Sequence, residues 1–410
     1  MTDSAGVGQS QDDLGAQFRV DTLLESFSPS APIDRRDVFA GRRDQLAALN
    51  TVMRQRGQHA VIYGERGVGK TSLAGITAEI ARSERFFTAH VICDSSDDFS
   101  TIWSKIFEEI SVIADGESGN AMQYVRDPSS ITPNEIRLVL RQLTNGAPAL
   151  IFIDEFDQIG SREVKKLFAD TIKILSDQAI RATIVPVGVG GSVTDLIEEH
   201  ASIARALVQV QMPRLPLGER REIIDKGLAA AGMGTTLRAA DRIAYLSQGL
   251  PHYVHRLAQQ AGLAAVGRES LEVALEDVDF AIQVVVTDTQ ESVAKDYHVA
   301  TYSTRPDTLY EDVLLACACA PADDRGFFRA AAVEAPLTTI KGKSYTVPAF
   351  ARHLEAFRSE ERRKVLVREG TPKYYRLRFR DPLLQPYVIM RGLRAGKITD
   401  ADLRRFRLGD

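Results

Sequence analysis

The octapeptide Gly64-Glu65-Arg66-Gly67-Val68-Gly69-Lys70-Thr71 constrains this chain more than any other stretch of it. Glycines at 64, 67 and 69 suit neither a helix nor a strand, yet an apolar run, His59 to Tyr63, precedes them and Ser72 to Arg82 follows with helical periodicity. A strand that enters a glycine-rich turn and leaves as a helix presents backbone N–H groups and a helix N-terminus to one point, which suits an anion. The spacing satisfies the phosphate-loop pattern: Lys70 is placed to reach the β and γ phosphates of a nucleotide, and the hydroxyl of Thr71 to hold Mg²⁺. Predicted nucleotide contacts therefore run through Gly64, Glu65, Arg66, Gly67, Val68, Gly69, Lys70, Thr71 and Ser72.

A second element supports the first. Ala149-Leu150-Ile151-Phe152-Ile153 is an apolar strand run that ends in Asp154-Glu155, and carboxylates at the C-terminal edge of a parallel sheet face its ligand crevice. The pattern predicts Asp154 as a Mg²⁺ ligand through water and Glu155 as the base that polarises an attacking water. Phosphoryl transfer needs both, because its catalysis is positioning plus charge stabilisation. Further short runs at 89–93, 183–185 and 207–210 alternate with helical stretches, which predicts an α/β fold with a parallel sheet. Thr132-Pro133-Asn134-Glu135 opens one helix as an N-cap, an N1 proline and a capping-box glutamate.

Together these residues resemble the AAA+ superfamily of nucleotide-dependent machines, and the tandem Asp-Glu favours hydrolysis over binding alone. No Asn-Lys-x-Asp guanine motif is present, and Leu246-Ser247-Gln248-Gly249 lies too far after the acidic motif to serve as an ABC signature. Between roughly Phe27 and Gly392 the chain is similar to origin-recognition-like and STAND-like ATPases. That resemblance implies a P-loop AAA+ parallel sheet core, a helical lid and a C-terminal winged-helix domain, with ATP and Mg²⁺ as cofactors. It places Phe39 to Leu46 beside the adenine, although the same residues also read as a plain charged helix start. It places Arg205, before the last core strand, where a neighbouring subunit's arginine finger would sit, although a surface arginine without such a role reads equally well. Ser192 is the sole candidate after the fourth strand for a residue touching the γ-phosphate. Gly249-Leu250-Pro251-His252 resembles the Gly-x-Pro lid motif of STAND ATPases, with His252 where an origin-type lid carries Arg. A histidine is charged only part of the time near neutral pH, so slow, switch-like turnover is implied.

Composition bears on partners. The formal net charge is −4, but residues 305–410 hold 21 basic against 14 acidic side chains and the preceding 304 hold 30 against 41. Within the basic part, Tyr375-Arg376-Leu377-Arg378-Phe379-Arg380 alternates arginine with apolar residues, as a strand with one basic face does. Arg352, Arg358 and Lys373 add to the patch. Such a surface suits double-stranded DNA through its phosphates. After DNA, it suits the acidic body as an intramolecular latch and, third, a merely solvated face. The expected domains are a flexible N-terminal arm without secondary structure at 1–36, the nucleotide core at 37–215, a helical lid at 216–300, the winged helix at 301–395 and a tail at 396–410. Three cysteines are too few for a disulfide framework, Met1 to Gln17 has no leader pattern, and the longest apolar stretch is too short to span a bilayer. A reduced, cytoplasmic setting without membrane contact is expected, with a homo-oligomer and a separate effector protein as expected partners. The active form reads either as an ATP-driven switch on DNA or as a nucleotide-gated regulator, for example in phage defence or transposition.

Overall fold

In this computed structural model the described residues are 11–29, 40–114, 117–190, 203, 205–304, 308–371 and 374–408. The chain divides into two compact units, Pro32–Pro213 and, from both ends of the sequence, Met1–Ala31 with Arg214–Asp410. In chain order the helices and strands are α1 (Gln11–Ser26), α2 (Arg43–Arg54), β1 (His59–Gly64), α3 (Lys70–Ser83), β2 (Phe87–Ile92), α4 (Phe99–Glu109), β3 (Ser111–Ala114), β4 (Glu117–Asn120), α5 (Pro133–Leu143), β5 (Ala149–Asp154), α6 (Arg162–Asp177), β6 (Ala182–Val189) and β7 (Leu207–Met212). They continue with α7 (Leu217–Ala230), β8 (Gly234–Thr235), α8 (Leu237–Leu246), α9 (Pro251–Gly267), β9 (Glu272–Val273), α10 (Leu275–Thr287), α11 (Glu291–Thr301), α12 (Tyr310–Cys319), α13 (Glu334–Lys341), α14 (Val347–Ala356), β10 (Leu366–Gly370), β11 (Tyr375–Phe379), α15 (Leu384–Arg394) and α16 (Asp400–Leu408).

The unit at 32–213 is built on a parallel five-stranded sheet in the order β2-β5-β6-β1-β7. Strand β1 lies between β6 and β7, while the chain that leaves it through α3 returns at the far edge as β2, so the C-terminal end of β1 marks a crossover in strand order where ligands commonly bind. Strands β1 and β5, which flank the central β6, are buried along their whole length, which is why each reads as an unbroken apolar run. Below the sheet edge, Trp103 and Phe107 of α4, Phe168 of α6 and Phe156 after β5 make ring contacts within one core. Truncating a buried aromatic of this kind to alanine costs about 3–5 kcal/mol.

Strand β2 is an edge, and its backbone is partly satisfied from the side: the Glu109 carboxylate accepts from the His90 N–H at 2.6 Å. The N-terminus of α5 differs from expectation. The Thr132 hydroxyl accepts from the Glu135 N–H at 3.3 Å, but the Glu135 carboxylate accepts from the Arg126 N–H at 2.8 Å, so the glutamate fastens the preceding turn instead of closing a capping box.

The other unit corrects the expectation of an unstructured arm. Residues 11–26 form helix α1, which packs on α7 and α9 and buries Leu23. Phe27 follows it into the core, where its ring sits so close to Gly227 that a Cβ there would lie 2.3 Å from it. The carbonyls of Phe27 and Pro29 are held by Gln259 and His252 of α9. Serine, glycine and aspartate in this segment masked a short amphipathic signal. The expected lid and C-terminal module fall within this one unit. After α12, α13 and α14 the antiparallel hairpin β10–β11 follows, with Phe328 bridging to Leu377. No helix among the described residues is long and apolar enough to cross a membrane.

Candidate nucleotide site

The turn after β1 depends on its glycines for two different reasons. A Cβ on Gly64 would come within 2.5 Å of the Met212 carbonyl oxygen on β7, whereas Gly67 and Gly69 have φ of 80° and 88°, in the left-handed region that side chains resist. Gly69 then caps α3, whose first residue is Lys70.

Lys70 is only 9% exposed, and its ammonium donates to the carbonyls of Gly64 at 3.1 Å and Glu65 at 2.8 Å. Two of its three donors are thus used on its own loop. Burial pulls the ammonium down to about 8, against the raising influence of the Asp154, Asp157 and Glu65 carboxylates. Val68 is buried and its carbonyl accepts from the Arg42 guanidinium at 2.9 Å. Arg42, itself buried with φ 59°, comes just ahead of α2 and fastens the loop from outside. Arg66 is exposed, while Thr71 and Ser72 are half-buried on the first turn of α3.

Asp154 ends β5 and is 3% exposed. Burial raises its carboxyl, but hydrogen bonds from His90, Thr71 and the Glu155 N–H outweigh that and hold it below the usual carboxylate range. The Glu155 N–H lies 2.8 Å from Oδ1, and His90 Nε2 lies 3.5 Å from Oδ2. His90 reaches this position because it is on β2 two residues before Ile92, the register partner of Asp154, and so shares its face. Glu155 is exposed and left-handed, with φ 53° and ψ 32°, a conformation that costs a non-glycine residue about 1–3 kcal/mol and tends to persist at functional sites. Asp157 closes the arrangement by accepting from the Val189 N–H at 2.8 Å, which ties the end of β6 to the turn after β5.

The structure therefore brings Lys70, Thr71 and Asp154 together, with Glu155 next in the chain. Arg42, His90 and Asp157 join them; sequence reasoning places Arg42 only within the segment expected beside the adenine, not on the loop, and misses His90 and Asp157. Each belongs to a segment that meets the loop only through the fold. Among the remaining expected residues, Ser192 and Lys373 lie outside the described residues, as does Phe39 of the lead-in. Arg205 is exposed, two residues ahead of β7.

Pro251 and His252 belong to the other unit and open α9. The His252 ring is engaged there, with Nδ1 2.6 Å from the Pro29 carbonyl oxygen, and burial lowers its pKa. In that unit the hairpin arginines also have partners. Arg376 pairs with Asp323 at 2.7 Å and lies over the Phe327 ring, which Arg378 shares. Arg380 lies 3.2 Å from Asp296, a buried carboxylate of α11 that Arg363 also contacts. Arg358 pairs with Glu355, and Arg352 is exposed.

Residues 38–178 match the family model of the AAA ATPase domain. No curated protein sequence matches the chain. Among solved structures, the ORC2 protein of Aeropyrum pernix is 13% identical over 91% of this chain and 98% of its own, with a TM-score of 0.50. A Walker-type ATPase of Pyrococcus abyssi is 17% identical over 88% and 98%, with a TM-score of 0.48. The RuvB Holliday junction branch migration motor of Thermotoga maritima is 16% identical over 85% and 95%, with a TM-score of 0.43. The α/β fold with its five-stranded parallel sheet matches the fold of the Aeropyrum pernix ORC2 protein.

Proposed function

We propose that the chain is a Mg²⁺-dependent AAA+ ATPase, a switch that binds and hydrolyses ATP and couples its nucleotide state to the module at its C-terminal end. The observation that carries this reading is the meeting of a buried lysine, a threonine hydroxyl and an ionised buried aspartate at the C-terminal ends of β1 and β5. An anionic carboxylate only 3% exposed beside a hydroxyl is a donor set that fits a hard divalent cation. Thr71 and Asp154 would hold Mg²⁺, which would supply charge neutralisation at the phosphates when bound. The protein's own residues do the rest. Loop N–H groups and Lys70 bind the phosphates, Arg42 keeps the loop in shape through Val68, and Glu155 orients and deprotonates water. Lys70→Ala should weaken binding of a fluorescent ATP analogue by about 100-fold or more; unchanged affinity would remove the phosphate-loop assignment.

Finer parts of the reading rest on fewer observations. Arg205 acts as an arginine finger within a homo-oligomer, so activity per subunit should rise with protein concentration and stay flat in Arg205→Ala. The helices α12 to α14 with hairpin β10–β11 form a winged helix that contacts double-stranded DNA through its basic face.

The ion pairs of Arg376, Arg380 and Arg363 favour a second reading for that module, in which the winged helix is a latch or protein-binding surface of a STAND-type nucleotide-gated regulator and the effector is a separate protein. A salt titration of DNA binding by wild type and by the Arg376/Arg378/Arg380 triple-alanine variant separates the two. Equal, weak binding by both supports the latch.

A further inference from the structure

Helices α7 and α8, the start of α10 and helix α16 enclose a cavity of about 440 Å³, within the range of small-ligand pockets, about 300–1,000 Å³. None of its lining residues is among those of the nucleotide site, and its chemistry is unbalanced. Arg221, Arg238, Arg242 and Arg404 line it against only Asp241 and Asp400.

The four guanidiniums fall into two pairs. Arg221 pairs with Asp241, and Arg242 lies 2.8 Å from Asp279 and 3.1 Å from Asp400, with only 14% of its side chain exposed. Those carboxylates fix two forks in place. Arg238 and Arg404 have no acidic partner among the described residues, and the Arg221 Nε, shielded from solvent, makes no hydrogen bond among them. Arg238 and Arg404 are exposed at the mouth, whereas the one shielded donor, the Arg221 Nε, costs about 1–3 kcal/mol without an acceptor and calls for an occupant or a water.

The rest of the lining is apolar. Leu217, Leu275 and Leu403 contribute side chains, and the Tyr245 hydroxyl is spent on the Leu403 carbonyl at 2.5 Å, which leaves the ring as surface. Bare phosphate would gain nothing from this wall, and a neutral apolar compound would strand the arginines. We infer that the cavity binds a small organic phosphate, with the phosphate on Arg238 and Arg404 and an apolar or aromatic body against the leucines and Tyr245. Phosphate oxygens match guanidinium forks in number and geometry. Because Asp400, Leu403 and Arg404 come from α16, an occupant clamps that C-terminal helix to α7 and α8, so the site controls the end of the chain.

The test uses the full chain and 1-naphthyl phosphate followed by fluorescence. Saturable binding is expected, unchanged in Lys70→Ala, with 1-naphthol and inorganic phosphate each about tenfold weaker or worse. The Arg238→Ala/Arg404→Ala double variant should bind about tenfold more weakly with an unchanged melting temperature, and the corresponding double lysine variant should recover part of the loss. Hydrogen exchange along residues 400–406 should slow when the probe is added. The inference is overturned by absence of saturable binding up to about 5 mM. Binding that Lys70→Ala abolishes, or that the double alanine variant retains at full strength, overturns it equally.

Discussion

Two charged regions that look alike as sequence differ in what the fold sets opposite them. At the C-terminal ends of β1 and β5, Lys70 spends its ammonium on two loop carbonyls, and Asp154 takes a hydrogen bond from the Glu155 N–H with the Thr71 hydroxyl and the His90 ring beside it. No carboxylate is bonded to the lysine, so its charge stays available to an anion. On hairpin β10–β11, by contrast, Arg376 and Arg380 face Asp323 and Asp296, and Arg376 and Arg378 lie over Phe327. Those charges are largely answered inside their own unit. A run of basic residues thus says little about a partner until the local carboxylates are known.

The largest effect should come from Lys70→Ala, which removes the ammonium at the phosphates and is expected to weaken ATP binding by about 100-fold or more, measured by equilibrium titration. Next is pH. With its pKa at about 8, the Lys70 ammonium is present below that value and lost above it, so affinity should be flat up to pH 8 and then fall by up to about tenfold per pH unit. Lys70→Arg should remove that inflection. The sign for stability is opposite: between about 8 and the ordinary 10.5 the unfolded chain holds a proton that the folded chain does not, so this group's contribution to stability rises with pH across that window.

Arg42→Ala leaves the Val68 carbonyl unpartnered and should weaken nucleotide binding by about tenfold, with a cost of about 1–3 kcal/mol in denaturant melts. The smallest effect sharpens the other side of the comparison. Asp296→Asn removes the charge facing Arg363 and Arg380, and DNA affinity at low salt should rise by about two- to fivefold with a steeper salt dependence. If affinity and slope both stay unchanged, the hairpin face is not a phosphate-binding surface.

What the sequence disclosed follows contiguity. The phosphate loop and the Asp154-Glu155 pair are each confined to a few consecutive residues whose chemistry is their spacing, and the strand runs that flank them are legible because buried parallel strands are apolar throughout. Arg42, His90 and Asp157 were not legible, since their roles come from register and from turns that only the sheet order brings together. Helix α1 was obscured by its polar composition, although Leu23 near its end and Phe27 just after it are both buried. The alternation of arginines in β11 correctly marked Leu377 and Phe379 as buried. It was silent about Asp296, a residue 84 positions from Arg380 whose pairing depends on how α11 meets the hairpin.

The most direct test of the hydrolytic site is Glu155→Gln, with ATP binding and single-turnover hydrolysis measured on the same preparation. Nucleotide affinity should stay within about twofold of wild type while turnover falls by about 100- to 1,000-fold, because the amide keeps the shape of the side chain and removes the base. Hydrolysis at the wild-type rate by a homogeneous Glu155→Gln protein would contradict the assignment of this residue and, with it, the reading of the β5 edge as the hydrolytic site.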